Sequence, residues 1–208
     1  MFLWLRGIPG CGKTVLTSTI IDDVIHHCHL IPALTVVYFY FDFNDIEKQQ
    51  YEKMIRSLIK QLSIQCTSTP KALESHFSSC MNGERQPRIS ELLTTLQQMV
   101  QEFDEIFIIL DALDECKDRQ GLLDSVKEIA GWKLGKLHIA VTSRSEQDIK
   151  EVLEPLVTGQ ICIQNALVDA DIYIHLHERL QNDPKLKAWP PKVQKEIKET
   201  LMNGAHGM

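Results

Sequence analysis

Apolar positions along the chain follow two rhythms. Short apolar runs occupy residues 2–5, 35–41, 106–110, 137–142 and 160–163, and the one at 106–110 shows no polar alternation, the pattern of a central strand covered on both faces. Between them, apolar residues recur at helical spacing. Tyr51, Met54, Ile55, Leu58, Ile59 and Leu62 form one continuous stripe, and Leu92, Leu93, Leu96, Met99, Val100 and Phe103 form another. Asn44 with Glu47 is read as the start signal of the first helix, and Ser90 as the cap of the second. Ser145 and Asp148 are read as caps of a short helix ending near Pro155. Strands alternating with helices predict an α/β fold with a mostly parallel sheet.

The last forty residues break this rhythm. They read as two helices, at about 170–181 and 191–202, separated by a segment holding Pro184, Pro190 and Pro191. Val193, Ile197 and Leu201 give the second a narrow apolar stripe. The expected organisation is a core over residues 1–168, with the start of a helical subdomain over 169–208 packed on it.

Composition narrows the class without naming a function. The 208 residues are 44% hydrophobic and 24% charged, which excludes a disordered or collagen-like chain. A net charge of −6 disfavours a general nucleic-acid footprint. The longest apolar run, 33–41, is too short to span a bilayer, and the N-terminus lacks the shape of a signal peptide. Six scattered cysteines without a CxxC pair read as reduced thiols of a cytoplasmic protein.

The chemistry begins at the first strand. Gly7-Ile8-Pro9-Gly10-Cys11-Gly12-Lys13-Thr14 matches GxxxxGK[ST], with a strand before it and a helical segment from Val15. Glycines let such a loop turn its amide N–H groups inward around phosphate oxygens. The following helix directs its positive end at the same anion. Gly7 through Val15 are therefore the candidate nucleotide-binding residues, with Lys13 on the β- and γ-phosphates and Thr14 on Mg²⁺. Cys11, at a helix N-terminus, is read as a plain small loop residue.

A phosphate loop calls for an acidic residue at the end of a buried strand. Ile106-Phe107-Ile108-Ile109-Leu110-Asp111 supplies it, which places Asp111 as the second Mg²⁺ residue. Asp114 or Glu115, just beyond, would polarise an attacking water, and the sequence does not choose between them. The strand at 137–142 runs into Thr142-Ser143-Arg144, at the edge where open α/β sheets bind ligands. Arg144 either contacts the γ-phosphate or pairs on the surface with Glu146 or Asp148. Asp42, after the second strand, is a weaker candidate for the same edge.

With these strand ends in order, the chain resembles the NACHT domain of STAND-type P-loop ATPases, most closely the NACHT modules of large fungal proteins and relatives of the NOD-like receptors. The matching residues are Leu3 through Thr14, Val37 through Asp42, Leu110-Asp111-Ala112-Leu113-Asp114-Glu115-Cys116 and Thr142-Ser143-Arg144. Asp171-Ile172-Tyr173-Ile174 and the closing residues 204–208 extend it. The resemblance implies a five-stranded parallel sheet with a strand inserted between the phosphate-loop strand and the Asp111 strand. It also implies an ATP/ADP-controlled signalling switch of innate-immunity type, with slow Mg²⁺-dependent hydrolysis and self-association through a larger protein. Sensor repeats, a winged-helix portion and an N-terminal effector are expected outside this chain, and neither nucleic acid nor membrane is expected as a partner. Ala112 departs from the Gly of many relatives, a change expected to leave the fold intact.

Two other functions share the loop. A small-molecule or nucleotide kinase needs an acceptor site and an Arg-rich lid, and no Arg-rich segment follows the loop. A non-hydrolysing nucleotide-binding scaffold would not require Lys13, Thr14, Asp111, Asp114 and Glu115 together. A GTPase lacks its NKxD tetrapeptide here.

Overall fold

The computed structural model describes the backbone of residues 1–29, 31, 34–66, 70–163 and 165–204. In chain order the elements are β1 (Phe2–Gly7), α1 (Lys13–His29), β2 (Leu34–Tyr40), α2 (Tyr51–Gln65), α3 (Lys71–Ser79), α4 (Ile89–Val100), β3 (Glu105–Asp111), α5 (Arg119–Gly131), β4 (Leu137–Ser143), α6 (Gln147–Leu153), β5 (Gly159–Ile163), α7 (Asn165–Asn182), α8 (Pro184–Lys187) and α9 (Pro191–Gly204). Each expected strand is present to within two residues at either end.

The sheet is parallel, with order β2-β3-β4-β1-β5. β4 lies between the phosphate-loop strand β1 and the acidic strand β3, as expected. Alternate side chains feed two faces. Phe2 and Trp4, Val37, Ile106 and Ile108, and Ile139 and Val141 enter the larger core with the apolar stripes of α2, α4, α5 and α6. Val36 and Ile109 face Ile21 of α1 on the other side. Because strand polarity is common, every strand delivers its C-terminal residue to one edge, where β1 ends at Gly7, β3 at Asp111 and β4 at Ser143.

β2 is an edge strand, and α2 seals it. Gln61 accepts the Tyr38 N–H at 3.0 Å and donates to the Tyr38 carbonyl at 2.8 Å. Gln65 donates to the Val36 carbonyl at 3.1 Å and accepts the Thr35 hydroxyl. The two amides supply what a neighbouring strand would, satisfying groups that otherwise template association.

Several local expectations are corrected. Asn44 and Glu47 do not start α2. A 3-10 turn, Ile46–Gln49, intervenes, with the Asp45 carboxylate accepting the Glu47 N–H at 3.0 Å, and α2 begins at Tyr51 with Gln50 as its cap. Ser90 lies inside the first turn of α4, whose cap is Arg88; the Glu91 carboxylate reaches back to the Arg88 N–H at 2.7 Å. α6 has Glu146 rather than Ser145 at its cap position, without a side-chain cap bond, and Asp148 in its first turn is drawn into an ion pair with Arg119. α1 begins at Lys13, two residues before Val15. The helix expected at 170–181 begins at Asn165. α9 packs on α7 through its other side, leaving Val193 and Leu201 of the expected stripe exposed. Residues 205–208 and the side chains of Asp171 and Ile172 lie outside the described residues.

Candidate nucleotide site

The loop from Gly7 to Lys13 is shaped by steric necessity. Gly10 and Gly12 take φ values of 75° and 85°, in the left-handed region that glycine adopts without strain. Gly7 is required for a different reason: a β-carbon there would come within 2.5 Å of Cys11 Sγ. Cys11 is thus the plug that packs the loop from beneath, and it is buried. Ile8 and Lys13 are half-buried; Pro9, Gly10, Gly12, Thr14 and Val15 line the exposed rim.

Lys13 Nζ folds back onto the loop, donating to the carbonyls of Gly7 at 3.0 Å and Ile8 at 2.9 Å. Its contacts are neutral acceptors and the Cys11 sulfur at 3.9 Å. An ammonium held by neutral groups among the described residues, beside loop amides and the positive end of α1, is arranged to receive an anion.

Asp111 is the hub. It is 1% exposed, and three hydroxyls from two elements point at it. Thr14 donates to Oδ2 at 2.7 Å; Thr17 and Thr142 lie 2.8 Å and 2.6 Å from Oδ1. Thr142 also accepts the Ala112 N–H at 2.9 Å, tying β4 to the residue after β3. These partners are neutral, and a buried carboxylate without a cation is costly. Its donor set of carboxylate and hydroxyl oxygens is the hard-oxygen chemistry that suits Mg²⁺, so the residues present fit that ion.

The two acidic residues beyond Asp111 differ in surroundings. Both Asp114 oxygens are taken by Arg144: Oδ1 accepts the backbone N–H at 2.9 Å, and Oδ2 forms an ion pair with Nε at 3.0 Å. The Asp114 side chain is 4% exposed. Glu115 is half-buried and accepts the Phe43 N–H at 3.0 Å. Burial, with the charges of Asp114 and Asp42 adding to it, pushes the Glu115 carboxyl above its ordinary range against the opposing Phe43 bond. Arg144 therefore pairs with neither Glu146 nor Asp148, both of which are engaged by Arg119. Its neighbour Ser143 accepts the Trp4 indole N–H at 2.9 Å, so each residue of Thr142-Ser143-Arg144 secures a different partner.

Thr17 is the participant that sequence reading missed. It lies one helical turn beyond Lys13 and Thr14 on α1, a spacing that brings hydroxyls to one face. Ala112 stands where the resemblance leads one to expect glycine. It adopts φ 58° and ψ 52°, the left-handed conformation that glycine tolerates best.

A parallel sheet with the phosphate loop, the acidic strand end and the inserted strand at one edge defines a P-loop NTPase. The chain belongs to the nephrocystin 3 N-terminal family, whose model matches residues 1–144. No curated protein matches the chain. Among solved structures, the ORC1 protein of Aeropyrum pernix in complex with DNA is similar at 12% identity and a TM-score of 0.55, over 87% of this chain and 49% of that one. Drosophila ORC bound to GC-rich DNA and Cdc6 aligns at 12% identity and a TM-score of 0.46, over 97% and 71%. The chain thus spans about half the length of the ORC1 chain. At these identities the likeness concerns the fold alone.

Proposed function

We propose that this chain is an ATP/ADP-binding switch with slow Mg²⁺-dependent ATP hydrolysis, a NACHT-type module that controls self-association of a larger cytoplasmic signalling protein. The carrying observation is the cage of three neutral hydroxyls, Thr14, Thr17 and Thr142, around Asp111, which is 1% exposed. In this reading the amides from Gly7 to Val15 and the Lys13 ammonium hold the phosphates, while Thr14 and Asp111 hold Mg²⁺. When bound, the ion supplies charge neutralisation at the β- and γ-phosphate oxygens.

The remaining roles follow from the surroundings of each carboxylate. Glu115 is the base: it has one neutral donor, and its raised affinity for a proton suits it to accept one from an attacking water. Asp114 is a positioning residue, since both its oxygens hold Arg144. Arg144, half-exposed at the tip of β4, is the cation available to a γ-phosphate. Thr17 and Thr142 fix the Asp111 rotamer. The net charge of −6 weighs against a general nucleic-acid footprint. No described helix is long and apolar enough to cross a membrane. Residues 1–168 are read as the nucleotide-binding core and 169–208 as the start of a helical subdomain.

Phosphate release and phosphate transfer separate this reading from its rivals. The wild type is expected to release phosphate slowly from ATP and to transfer none to nucleotide or small-molecule acceptors. Glu115→Gln should retain ATP and release no phosphate. Efficient transfer to an acceptor would establish a kinase; ATP retention without release by the wild type would establish the non-hydrolysing scaffold.

A further inference from the structure

The tip of β4 is held from β1, on either side of Arg144. Phe2, Trp4 and Arg6 of β1 alternate onto one face of the sheet, and Leu137, Ile139, Val141 and Ser143 of β4 share that face. In the register Trp4 lies beside Val141, and its indole reaches two residues forward to Ser143. The indole N–H donates to Ser143 Oγ at 2.9 Å, and Ser143 Oγ donates to the Arg144 carbonyl at 2.8 Å. Two residues on, Arg6 Nη1 donates to Ser145 Oγ at 3.3 Å, its guanidinium 5.3 Å from the centre of the Trp4 ring.

This chain of bonds has a direction. A hydroxyl has one proton and two acceptor lone pairs. With the indole N–H on a lone pair, the Ser143 proton is directed to the Arg144 carbonyl. Trp4 and Ser143 are both 0% exposed, so water does not stand in for either partner, and an unmade bond would leave a buried donor. A side chain that only filled this part of the core would need no N–H; the indole supplies one and aims it at the residue before Arg144. Arg144 is fixed from its other side as well. Its backbone N–H donates to Asp114 Oδ1 at 2.9 Å, and its Nε pairs with Oδ2 at 3.0 Å. Its carbonyl and its amide are thus each held, while its side chain stays 46% exposed at the edge where β1 and β3 also end.

We propose that Trp4 is a positioning residue for Arg144. Through Ser143 its indole N–H fixes the Arg144 backbone so that the guanidinium can leave Asp114 and meet a γ-phosphate. Trp4 is therefore a determinant of the preference for a nucleoside triphosphate over a diphosphate. The role rests on the proposed reading of Arg144 as the cation available to a γ-phosphate. A diphosphate, held by the loop amides and Lys13, does not call on it.

Calorimetric titration of the full chain with Mg²⁺-ADP and with Mg²⁺-AMP-PNP, an ATP analogue with an imido bridge, tests it. The wild type is expected to favour AMP-PNP, and Arg144→Ala to weaken AMP-PNP by about tenfold with ADP unchanged. Trp4→Phe keeps an aromatic ring and removes the N–H. It should weaken AMP-PNP by about threefold, leave ADP unchanged, and add nothing to Arg144→Ala in the double variant. Equal weakening of both nucleotides, no weakening of either, or an effect that adds in full to that of Arg144→Ala would mark a merely structural role and overturn the proposal. An Arg144→Ala variant that keeps the wild-type preference would remove the reading of Arg144 and this proposal with it. Should Trp4→Phe fail to fold, the wild-type protein decides. Its three tryptophans give three indole signals in a nitrogen–proton correlation spectrum, and Trp132→Phe and Trp189→Phe assign that of Trp4 by elimination. AMP-PNP is expected to shift the Trp4 signal more than ADP does, a difference lost in Arg144→Ala. Identical shifts with the two nucleotides contradict the proposal.

Discussion

Asp114 and Glu115 are adjacent in sequence and chemically alike, yet their surroundings differ. Arg144 claims both oxygens of Asp114, whereas among the described residues Glu115 is engaged at one oxygen, by the Phe43 N–H; in the proposed reading the other is open to a proton. Asp114→Asn is therefore expected to slow phosphate release while leaving it measurable. The pH dependence follows from the sign of the Glu115 shift. A base acts unprotonated, and this carboxyl holds its proton above the ordinary carboxylate range. Hydrolysis should consequently be lost as pH falls through that raised value, earlier than an unperturbed glutamate would dictate. Steady-state rates measured from pH 4 to 8 in a constant-ionic-strength buffer, on the order of one pH step per unit, read this directly. Ala112 offers a stability test at the same scale. Its left-handed backbone costs about 1–2 kcal/mol, and glycine gives back roughly 0.5–1 kcal/mol in chain entropy. Ala112→Gly should thus be modestly stabilising, by about 0.5 kcal/mol, whereas Ala112→Val should lose about 2 kcal/mol or more. Urea denaturation midpoints distinguish the two.

At the scale of elements, the strands and the long helices were legible because periodicity reports burial, and burial is what the sheet imposes. Ile106 to Leu110 announced a strand covered on both sides, and Ile106, Ile108 and Leu110 are buried in the main core while Ile109 is buried against α1. Caps were less legible, since several Ser, Asp, Asn and Glu near a helix start compete for the same amides; tertiary partners decided between them, as Arg119 did for Asp148. The seal on β2 was not legible at all. Gln61 and Gln65 look like ordinary polar positions of a helix, and only the path of α2 past the sheet edge gives them a role. Gln61→Ala removes two bonds to the Tyr38 backbone, a loss of about 1–2 kcal/mol. It also exposes a strand edge, so concentration-dependent association should appear in dynamic light scattering. Gln65→Ala alone should do less, because Gln61 still occupies the middle of the strand.

Across the whole molecule, the phosphate loop and Asp111 were recognisable because their residue types and spacing are dictated by phosphate and metal chemistry, wherever the rest of the chain lies. The pairing of Arg144 with Asp114 and the convergence of Thr14, Thr17 and Thr142 on Asp111 join positions far apart in sequence. Nothing local in the chain announces them. They place the switch reading on one connected set of contacts: α1 to β3 through Thr14 and Thr17, and β3 to β4 through Thr142 and Arg144. A ligand that engages Lys13, Thr14 and Asp111 would act on all three elements at once. The most direct test is equilibrium titration of ATP, with and without Mg²⁺, into the wild type, Lys13→Ala and Asp111→Asn. The account predicts Mg²⁺-dependent binding by the wild type, its loss in Lys13→Ala, and binding by Asp111→Asn that no longer responds to Mg²⁺. Unchanged ATP affinity in both variants would contradict it.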